Sequence, residues 1–550
     1  MPVIPWPAEY KTSAGQFHTP DVVSISYVGE GIESTANLLR EQLEDRLQLS
    51  CTVAPAAEVG DSATIALVRE NDVVASLASL PNQDEGYELN IREAQVVIRG
   101  HEAHGVFNGV QTVLQMLPAF PAESGMSLDC LTVVDSPRFK WRGVLLDVGR
   151  HFFEVPFILK LLDVMAFHKM NRFHWHLTED QGWRLEVKAY PILTQKGAWR
   201  GRGPAKPYGG FYTQEEVRTI IQYAAERFIL VVPEIELPGH SCAAIACYPH
   251  LSCTERVTQV PVQWGIHEDV YCAGKEETFD FLQTVLTEVI DLFPGTFIHI
   301  GGDECPKVRW NRCKHCQERI KAEGLEDEYQ LQSWFIRRIG AFLKGHGRRL
   351  IGWDEILEGG LAPDAIVMSW RGITGGVRAA KAGHDVIMTP ASHTYLDYRQ
   401  SLRSDEPGAW YAMLPLEISY AFDPIPPEPD LATPMSRSSL SELDADDAGD
   451  LAFANALDLG STPLGCERLD DDWTLPAGQA HHILGGQANV WTEYIGDEHT
   501  LEYMLLPRLC ALSEALWSPK PTRDWQGFQH RLKAHLRHLD AMGMRYRPLG

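Results

Sequence analysis

The segment FIHIGGDEC (297–305) contains two adjacent carboxylates, Asp303 and Glu304, of the kind that acid–base chemistry uses. Side chains on a regular strand alternate between its two faces, so an unbroken strand would direct these neighbours to opposite sides. Gly301 and Gly302 precede them, and glycine reaches backbone angles that are closed to other residues. A kink at these glycines would turn both carboxylates into one pocket. We therefore predict a catalytic pair here in preference to a solvated acidic loop.

Other polar and aromatic side chains stand at the ends of short apolar runs along the chain. They are Arg150, Glu179, Asp180, His240, Trp353, Asp354, Trp370, Arg371, Tyr395, Asp397, Trp491 and Glu493. A pyranose ring requires this mixture, because its apolar faces stack on aromatic rings while its hydroxyls need fixed acceptors and arginine donors. Trp353 or Trp370 alone would more often be a core or rim residue, so the prediction depends on the whole set. The set predicts a sugar-binding site.

Histidines and cysteines near these segments do not complete a metal site by their spacing. His174 and His176 in FHWHL lack the spacing of helical metal ligands, and we interpret them as core histidines. Cys305, Cys313 and Cys316 contain one Cys-x₂-Cys pair, but structural zinc needs four ligands and no second pair follows. We therefore expect buried structural thiols, no metal and no cofactor.

From residue 138 onward, short apolar runs alternate with segments of helical periodicity such as 155–170 and 213–228. The runs comprise 143–149, 172–178, 229–237, 297–304, 349–356, 365–372, 385–392 and 482–491. Buried runs that alternate with helices indicate a parallel α/β sheet, and eight of them fit a closed (β/α)₈ TIM barrel. A doubly wound sheet is the alternative, although no glycine-rich phosphate fingerprint follows the first run. In a barrel, the ends of these runs meet at one face and would bring the candidate residues together.

Residues 1–137 do not show this alternation of apolar runs and helical segments, and we interpret them as a smaller N-terminal α+β domain. Strand-like runs comprise 62–68, 86–91 and 94–100, and helix-like segments comprise 34–47 and 104–117. The catalytic barrel then comprises 138–550. Within it, the Pro-, Ser- and Asp-rich segment at about 424–480 predicts an acidic insertion between the seventh and eighth strands.

Charge and composition exclude several classes of partner. The 550-residue chain has a formal net charge of −25, from 49 basic and 74 acidic residues. Without a Lys/Arg-rich run to attract phosphates, we expect no nucleic-acid partner, and without about 18 consecutive apolar residues we expect no membrane span. The first residues lack a signal-peptide pattern, and the 11 cysteines are an odd number that suits reduced thiols. We expect a cytoplasmic protein and leave a homodimer open.

Ordered strings along nearly the whole chain resemble the family 20 glycoside hydrolases, the β-N-acetylhexosaminidases. The strings are EGYELNI, HGVFNGVQTVLQMLP, RGVLLDVGRHF, FHWHLTEDQGWRLE, VVPEIELPGH, HIGGDECPK, GWDEI, MSWRG, TYLD and GGQANVWTEY. Each string alone is a weak signal, whereas all of them in this order are specific. The resemblance implies an exo-acting enzyme that removes terminal non-reducing β-linked N-acetylglucosamine or N-acetylgalactosamine from an oligosaccharide or glycoconjugate.

The resemblance also implies substrate-assisted retaining catalysis, in which the 2-acetamido carbonyl of the sugar attacks C1. Glu304 matches the acid/base that protonates the leaving oxygen and then activates water. Asp303 matches the carboxylate that holds the acetamido N–H and offsets developing positive charge. Tyr395 matches the hydroxyl that orients the acetamido oxygen.

Further positions match family residues that bind the sugar or support the acid/base. The ligands of the ring hydroxyls are Arg150, Asp397 and Glu493. The aromatic walls are Trp353, Trp370 and Trp491. Glu179 and His240 match an acid–histidine pair behind Glu304.

The chain departs from the family pattern in two respects. Glu179 and Glu236 stand where the family often has Asp, which leaves the role of Glu179 open, and 424–480 has no clear family counterpart. Two alternatives remain: a variant of the same family that releases a disaccharide or a sulfated N-acetylglucosamine, and a catalytically silent carbohydrate-binding protein on the same scaffold. The silent protein is disfavoured because binding alone needs no proton donor such as Glu304.

Overall fold

The computed structural model describes residues 1–58, 60, 63–121, 127–201, 207–426 and 474–549. An open sheet with two helices forms the N-terminal part, and a closed parallel barrel surrounded by helices follows it. The predicted order, a smaller α+β domain followed by a TIM barrel, is confirmed.

The N-terminal sheet has the strand order β1-β7-β5-β6-β4-β2-β3 and mixes parallel with antiparallel pairs. Its strands are β1 Glu9–His18, β2 Val22–Val28, β3 Ser50–Pro55, β4 Ile65–Arg69, β5 Tyr87–Ile91, β6 Val96–Gly100 and β7 Ser127–Asp135. β5 buries Tyr87, Leu89 and Ile91 at alternate positions, as a strand with one covered face requires. Helices α1 (Glu33–Leu47) and α2 (Ala103–Met116) pack on this sheet.

The second part closes into a barrel of eight parallel strands in the order β10-β11-β12-β13-β14-β15-β8-β9. They are β8 Trp141–Asp147, β9 Arg172–His176, β10 Leu230–Leu237, β11 Phe297–Gly301, β12 Arg349–Trp353, β13 Ile366–Ser369, β14 Val386–Met388 and β15 Ile483–Val490. Each strand lies on one of the eight predicted apolar runs. The ring has no free edge, because β10 pairs with β9 and β15 pairs with β8, so the doubly wound alternative is wrong.

Helices surround the barrel and connect its strands. They are α3 Val155–Phe167, α4 Gln214–Ala225, α5 Cys242–Cys247, α6 Glu276–Leu292, α7 Val308–Arg312, α8 Lys314–Glu323, α9 Glu328–Gly345, α10 Thr374–Lys381, α11 Ala391–Thr394, α12 Leu416–Ala421, α13 Glu498–Leu505, α14 Arg508–Trp517 and α15 Trp525–Ala541. α4 begins with a capping box, in which the Thr213 hydroxyl accepts from the Glu216 backbone N–H and the Glu216 carboxylate accepts from the Thr213 N–H. The connection from β12 to β13 differs, because it contains only a 3₁₀ helix, Asp354–Leu357.

Apolar and polar layers share the barrel interior. The apolar side chains are Trp141, Leu145, Val232, Ile351, Trp353, Ile366, Met368 and Ile387. Glu234 follows Val232 on the same face of β10, toward the carboxyl ends of the strands, and is fully buried. A buried carboxylate is costly unless hydrogen-bonded, so its partners are part of the site described below.

Buried ion pairs join the N-terminal part to the barrel. Arg142 on β8 is fully buried and donates from Nη2 to the Glu85 carboxylate at 2.5 Å. The Lys169 ammonium donates to Tyr87 Oη and to Asp135 at 3.0 and 3.2 Å. These contacts fix the sheet against the amino-terminal end of the barrel, away from the carboxyl ends of its strands.

The predicted insertion at 424–480 falls between β14 and β15 in the chain, and most of it, 427–473, lies outside the described residues. The last helix of the described residues is α15. Within the described residues, no helix has both the length and the apolar character needed to cross a membrane.

Candidate active site

The residues predicted to form the site meet at the carboxyl ends of the barrel strands. Each strand from β8 to β15 contributes, in order, Arg150; Glu179; His240; Asp303 and Glu304; Trp353; Trp370; Tyr395 and Asp397; Trp491 and Glu493. Active sites of this fold are built from the loops at this face. The structure therefore brings the whole predicted set to one end of one barrel.

A kink after β11 presents Asp303 and Glu304 together, as predicted. Gly301 and Gly302 have φ values of 66° and 89°, in the left-handed region that favours glycine. A Cβ at Gly301 would also lie 1.7 Å from a carboxylate oxygen of Glu236, so the position has no room for a side chain. Glu304 itself has φ 43°, a costly conformation for a non-glycine residue that typically occurs at functional sites.

His240 lies between the two carboxylates and a second acidic pair. Its Nε2 is 3.6 Å from Asp303 Oδ2 and 3.5 Å from Glu304 Oε2. Its Nδ1 is 2.8 Å from Glu179 Oε1 and 3.3 Å from Asp180 Oδ2. His240 also adopts a left-handed φ, 47°, so the loop after β10 holds the imidazole in one fixed orientation between these acids.

The charges around His240 favour its protonated form. Burial alone would lower its pKa, but the Glu179 carboxylate and hydrogen bonds to Asp180, Asp303 and Glu179 raise the pKa of His240 well above its usual value. Burial raises the pKa of Glu304, yet the imidazolium and Arg150 hold it below its usual range. These charges therefore favour a protonated His240 beside an ionised Glu304.

Arg150 is held by three carboxylates at the edge of the site. Its guanidinium lies 3.3 Å from Asp147, 3.2 Å from Glu179 and 3.7 Å from Glu493. It also stands over the Trp491 ring at 5.2 Å. These partners hold the guanidinium of Arg150 in one orientation, and the residue is only 9% exposed to solvent.

Four aromatic rings follow one another around the site. The centroids are 5.7 Å apart for Trp353 and Trp491, 6.1 Å for Trp491 and Tyr395, and 6.1 Å for Tyr395 and Trp370. The last two rings are nearly parallel, at 12°. Trp370 and Trp491 are partly exposed, whereas Trp353 is buried and donates from Nε1 to Glu234 at 2.9 Å. This arc offers apolar ring faces of the kind that stack on a sugar.

Besides the two oxygens of Glu236, two buried carboxylate oxygens have no hydrogen-bond partner among the described residues. They are Asp303 Oδ1 and Asp397 Oδ1, on side chains from β11 and β14 loops. Burial and the neighbouring Glu493 raise the pKa of Asp397 well above its usual value. An unpaired buried acceptor is unfavourable unless a ligand completes it. Both atoms are therefore candidates for donors on a bound molecule.

A polar network beneath the site was only partly predicted. His174 and His176 are buried core histidines, as expected, and both contact Glu234, at 3.0 and 2.6 Å. His299 Nδ1 lies 2.7 Å from the same residue. His176 Nε2 also contacts Glu179 at 3.2 Å, which connects the network to the site. Glu234 therefore connects the three histidines that lie beneath the site.

Sequence reasoning missed Asp147 and Glu234, which stand inside the apolar runs rather than after them. Asp147 accepts from the backbone N–H of Gly149, Arg150 and Thr492, and so joins the loops after β8 and β15. A carboxylate within an apolar run that forms a barrel strand is the signal that would have found both.

Glu236 stands on β10, two residues after Glu234. Both of its oxygens are buried without a partner among the described residues. Burial and the charges of Asp303 and Glu234 raise the pKa of Glu236 well above its usual range and so favour its neutral form. A neutral acid at this position does not compete with Asp303 for a positively charged ligand group.

Histidine and carboxylate atoms of the site approach closely enough to resemble metal ligands. Glu179, Asp180 and His240 bring three such atoms within 4.8 Å of one another, and so do His174, Glu234 and His299. In both groups the histidine nitrogens already lie at hydrogen-bond or ion-pair distance from the acids. In both groups the side chains are therefore paired with one another and are not arranged as an open set of metal ligands.

Comparisons with known proteins agree with this arrangement. Residues 139–520 match the glycosyl hydrolase family 20 catalytic domain, and 1–136 match domain 2 of the same family. A β-hexosaminidase of Porphyromonas gingivalis is 42% identical over 99% of this chain, and the chain spans 64% of that relative's length.

Solved structures give the same result. An exo-β-N-acetylglucosaminidase of Vibrio harveyi in complex with N-acetylglucosamine superimposes with a TM-score of 0.81 and 31% identity, covering 100% of this chain and 78% of that one. A mutant β-hexosaminidase of Streptomyces plicatus in complex with its product superimposes with a TM-score of 0.79 and 27% identity, covering 100% of this chain and 96% of that one. The chain belongs to glycosyl hydrolase family 20, a family of glycoside hydrolases that includes these β-hexosaminidases.

Proposed function

We propose that the protein is an exo-acting β-N-acetylhexosaminidase that uses the 2-acetamido group of its substrate as the nucleophile. It removes terminal non-reducing β-linked N-acetylglucosamine or N-acetylgalactosamine with retention of configuration. The observation that carries the proposal is Asp303 Oδ1, which is buried without a partner among the described residues and lies beside Glu304, within an arc of aromatic rings. The names of the relatives, β-hexosaminidases, support the same activity.

Asp303 and Tyr395 act on the acetamido group in the first step. The acetamido N–H donates to Asp303 Oδ1, and the hydroxyl of Tyr395 donates to the acetamido oxygen and orients it toward C1. A bond forms between that oxygen and C1 while the bond from C1 to the leaving oxygen breaks. Positive charge develops on the cyclised oxazolinium ring, and the Asp303 carboxylate stabilises it.

Glu304 transfers the protons. It donates one proton to the leaving oxygen, and in the second step it removes one from the water that attacks C1 and reopens the ring. Because Glu304 is ionised in the free site, the proton for the first step comes from His240, 3.5 Å away. Glu179 holds the imidazolium from its other side at 2.8 Å and so keeps this proton available.

Arg150, Asp397 and Glu493 bind the ring hydroxyls. Asp397 Oδ1 is buried and has no partner among the described residues, so it is available as an acceptor for a sugar hydroxyl. The Arg150 guanidinium is already positioned by Glu179 and Glu493, so little ordering is needed when a sugar binds. Trp353, Trp370 and Trp491 surround the sugar ring and its acetamido methyl group.

Release of a chromophore from an aryl β-N-acetylglucosaminide tests the proposal. The wild-type protein should hydrolyse this substrate and should hardly process the aryl β-glucoside, which has a hydroxyl at C2. The Glu304→Gln variant should be strongly impaired, whereas Glu326→Gln, the same change at an exposed position, should not. Equal rates on the two glycosides, or no hydrolysis of either, would reject the proposal.

A further inference from the structure

Four cysteines from three separate segments meet beside the barrel and form what we call the thiol cluster: Cys253, Cys272, Cys313 and Cys316. Their sulfur atoms all lie within 4.8 Å of one another. The distances are 3.7 Å from Cys253 to Cys316, 3.7 Å from Cys272 to Cys313, and 3.6 Å from Cys272 to Cys316. Cys253 is partly exposed, and the other three are buried.

These distances fit a metal tetrahedron. Zinc binds thiolate sulfur at about 2.3 Å, so the edges of a tetrahedral Cys₄ site are about 3.8 Å long. A disulfide requires sulfurs about 2.05 Å apart, and the separations here are much longer. We propose that the thiol cluster binds one structural Zn²⁺ ion, with all four cysteines as thiolate ligands.

Backbone contacts place the three segments independently of any ion. Ser252 forms an antiparallel bridge with Tyr271, and the Cys272 N–H donates to the Leu251 carbonyl at 2.8 Å, which brings the first two ligands together. A Cβ at Gly274 would lie 2.1 Å from the His315 backbone, so only glycine allows this close approach to the Cys-x₂-Cys pair.

A lysine supplies positive charge beside the cluster. Four thiolates around Zn²⁺ leave a net charge of −2, which needs nearby donors or cations. The Lys275 ammonium donates to the Ser252 carbonyl at 3.0 Å, next to Cys253, and is three residues from Cys272 in the chain. This side chain is only 12% exposed, and it also pairs with the more exposed Glu255 carboxylate at 2.7 Å, so the cluster and Glu255 share its charge.

The site would support the catalytic loops without taking part in the reaction. Tyr271, next to Cys272, donates from its backbone N–H to the Pro238 carbonyl at 3.0 Å, two residues before His240. The Trp310 indole on α7, in the segment that leads from Glu304 to Cys313, donates to the Tyr271 carbonyl at 2.9 Å. A metal with four protein ligands has no open position, which is typical of structural zinc. The zinc ion would connect the loops after β10 and β11 to each other.

Metal analysis of the purified protein tests the proposal without reference to activity. Protein from zinc-supplemented medium, dialysed against EDTA, should contain one zinc ion per chain by inductively coupled plasma mass spectrometry. Titration with a mercurial thiol reagent should release that zinc into a chromophoric indicator. Cobalt-substituted protein should show the intense sulfur-to-metal charge-transfer absorption of a tetrahedral thiolate site.

Two serine variants at partly exposed cysteines form a matched pair. Cys253→Ser should lose most of its zinc after dialysis and unfold at a lower temperature, whereas Cys51→Ser on β3 should keep both properties of the wild type. Wild-type protein that contains no zinc would overturn the proposal, whether its four thiols are free or joined in disulfides. One equivalent of iron in place of zinc would overturn it as well.

Discussion

Replacing Asp303 by Asn should impair catalysis through the acetamido group of the substrate. Asp303 Oδ2 lies 3.6 Å from His240 Nε2, which carries a proton, and Oδ1 is left for the substrate N–H. An asparagine has one oxygen and one NH₂ group. It must direct the NH₂ group either at the protonated imidazole or at the acetamido N–H, so one donor faces another in both orientations.

The magnitude follows from the one contact that is lost, to which two known magnitudes apply. A hydrogen bond to a charged group contributes about 1.5–3 kcal/mol, and a charge aimed at a developing charge contributes about 2.7–4 kcal/mol in mutational tests. Because both describe the same contact, we expect a loss of about 3–4 kcal/mol in transition-state stabilisation. At 1.36 kcal/mol per tenfold change, kcat should fall by about 10²–10³-fold.

The assay compares kcat of the wild type and Asp303→Asn on a series of aryl β-N-acetylglucosaminides. Because Asp303 acts on the acetamido group, the loss should be similar for good and poor leaving groups. The thermal midpoint of unfolding should be measured in parallel, to show that the variant is folded. A folded variant with a near wild-type rate would refute the reasoning, and so would a loss that disappears with good leaving groups.

Three further variants test the proton donor, its histidine and the domain contact. Glu304→Gln should lower kcat by about 10²–10⁴-fold, and the loss should be smaller for better leaving groups, which need less protonation. Glu179→Gln removes the carboxylate that raises the pKa of His240. Because the active form needs the protonated imidazole and loses it as pH rises, the alkaline limb of kcat/KM should move to lower pH. Glu85→Gln should lower the free energy of unfolding by about 3 kcal/mol at pH 7. Burial raises the pKa of Glu85, but the charges of Arg142 and a neighbouring histidine outweigh the effect of burial. They hold this pKa at about 2 instead of 4.5.

The outcomes that contradict these predictions are specific to each variant. For Glu304, an equal loss across leaving groups would argue against a proton donor. For Glu179, an unchanged alkaline limb would show that His240 does not set it. The depressed pKa of Glu85 stabilises the protein above about pH 4.5, and this contribution disappears as pH falls through about 2. The difference from wild type should therefore shrink in acid, and Asp84→Asn, an exposed neighbour, should show none.

The barrel could be predicted from sequence because its strands are buried on both faces. A strand such as β8, in which every residue is buried, contains an uninterrupted apolar run at 143–146 that needs no periodicity to be recognised. Strand β1 of the N-terminal sheet was missed for the opposite reason. Nearly all of it is exposed, so its sequence has neither an apolar run nor an alternation.

The candidate site could be predicted because residues after parallel strands meet at one face of a barrel. That rule, with the family resemblance, gave the four carboxylates that lie within 3.6 Å of the His240 ring nitrogens. It could not give Glu234, which is inside a strand and is paired with histidines from β9 and β11. It could not give Cys253 and Cys272 either, because the Ser252–Tyr271 bridge, and not their spacing, brings them together.

The nucleophilic role of the acetamido oxygen is the central claim, and one measurement tests it most directly. It is kcat/KM for aryl glycosides whose N-acetyl group carries zero, one, two or three fluorine atoms. Fluorine withdraws electrons from the carbonyl oxygen and weakens it as a nucleophile while changing the size of the group little. If this oxygen attacks C1, kcat/KM should fall steeply with each fluorine. A rate independent of fluorination would contradict the account and would indicate attack by an enzyme carboxylate instead.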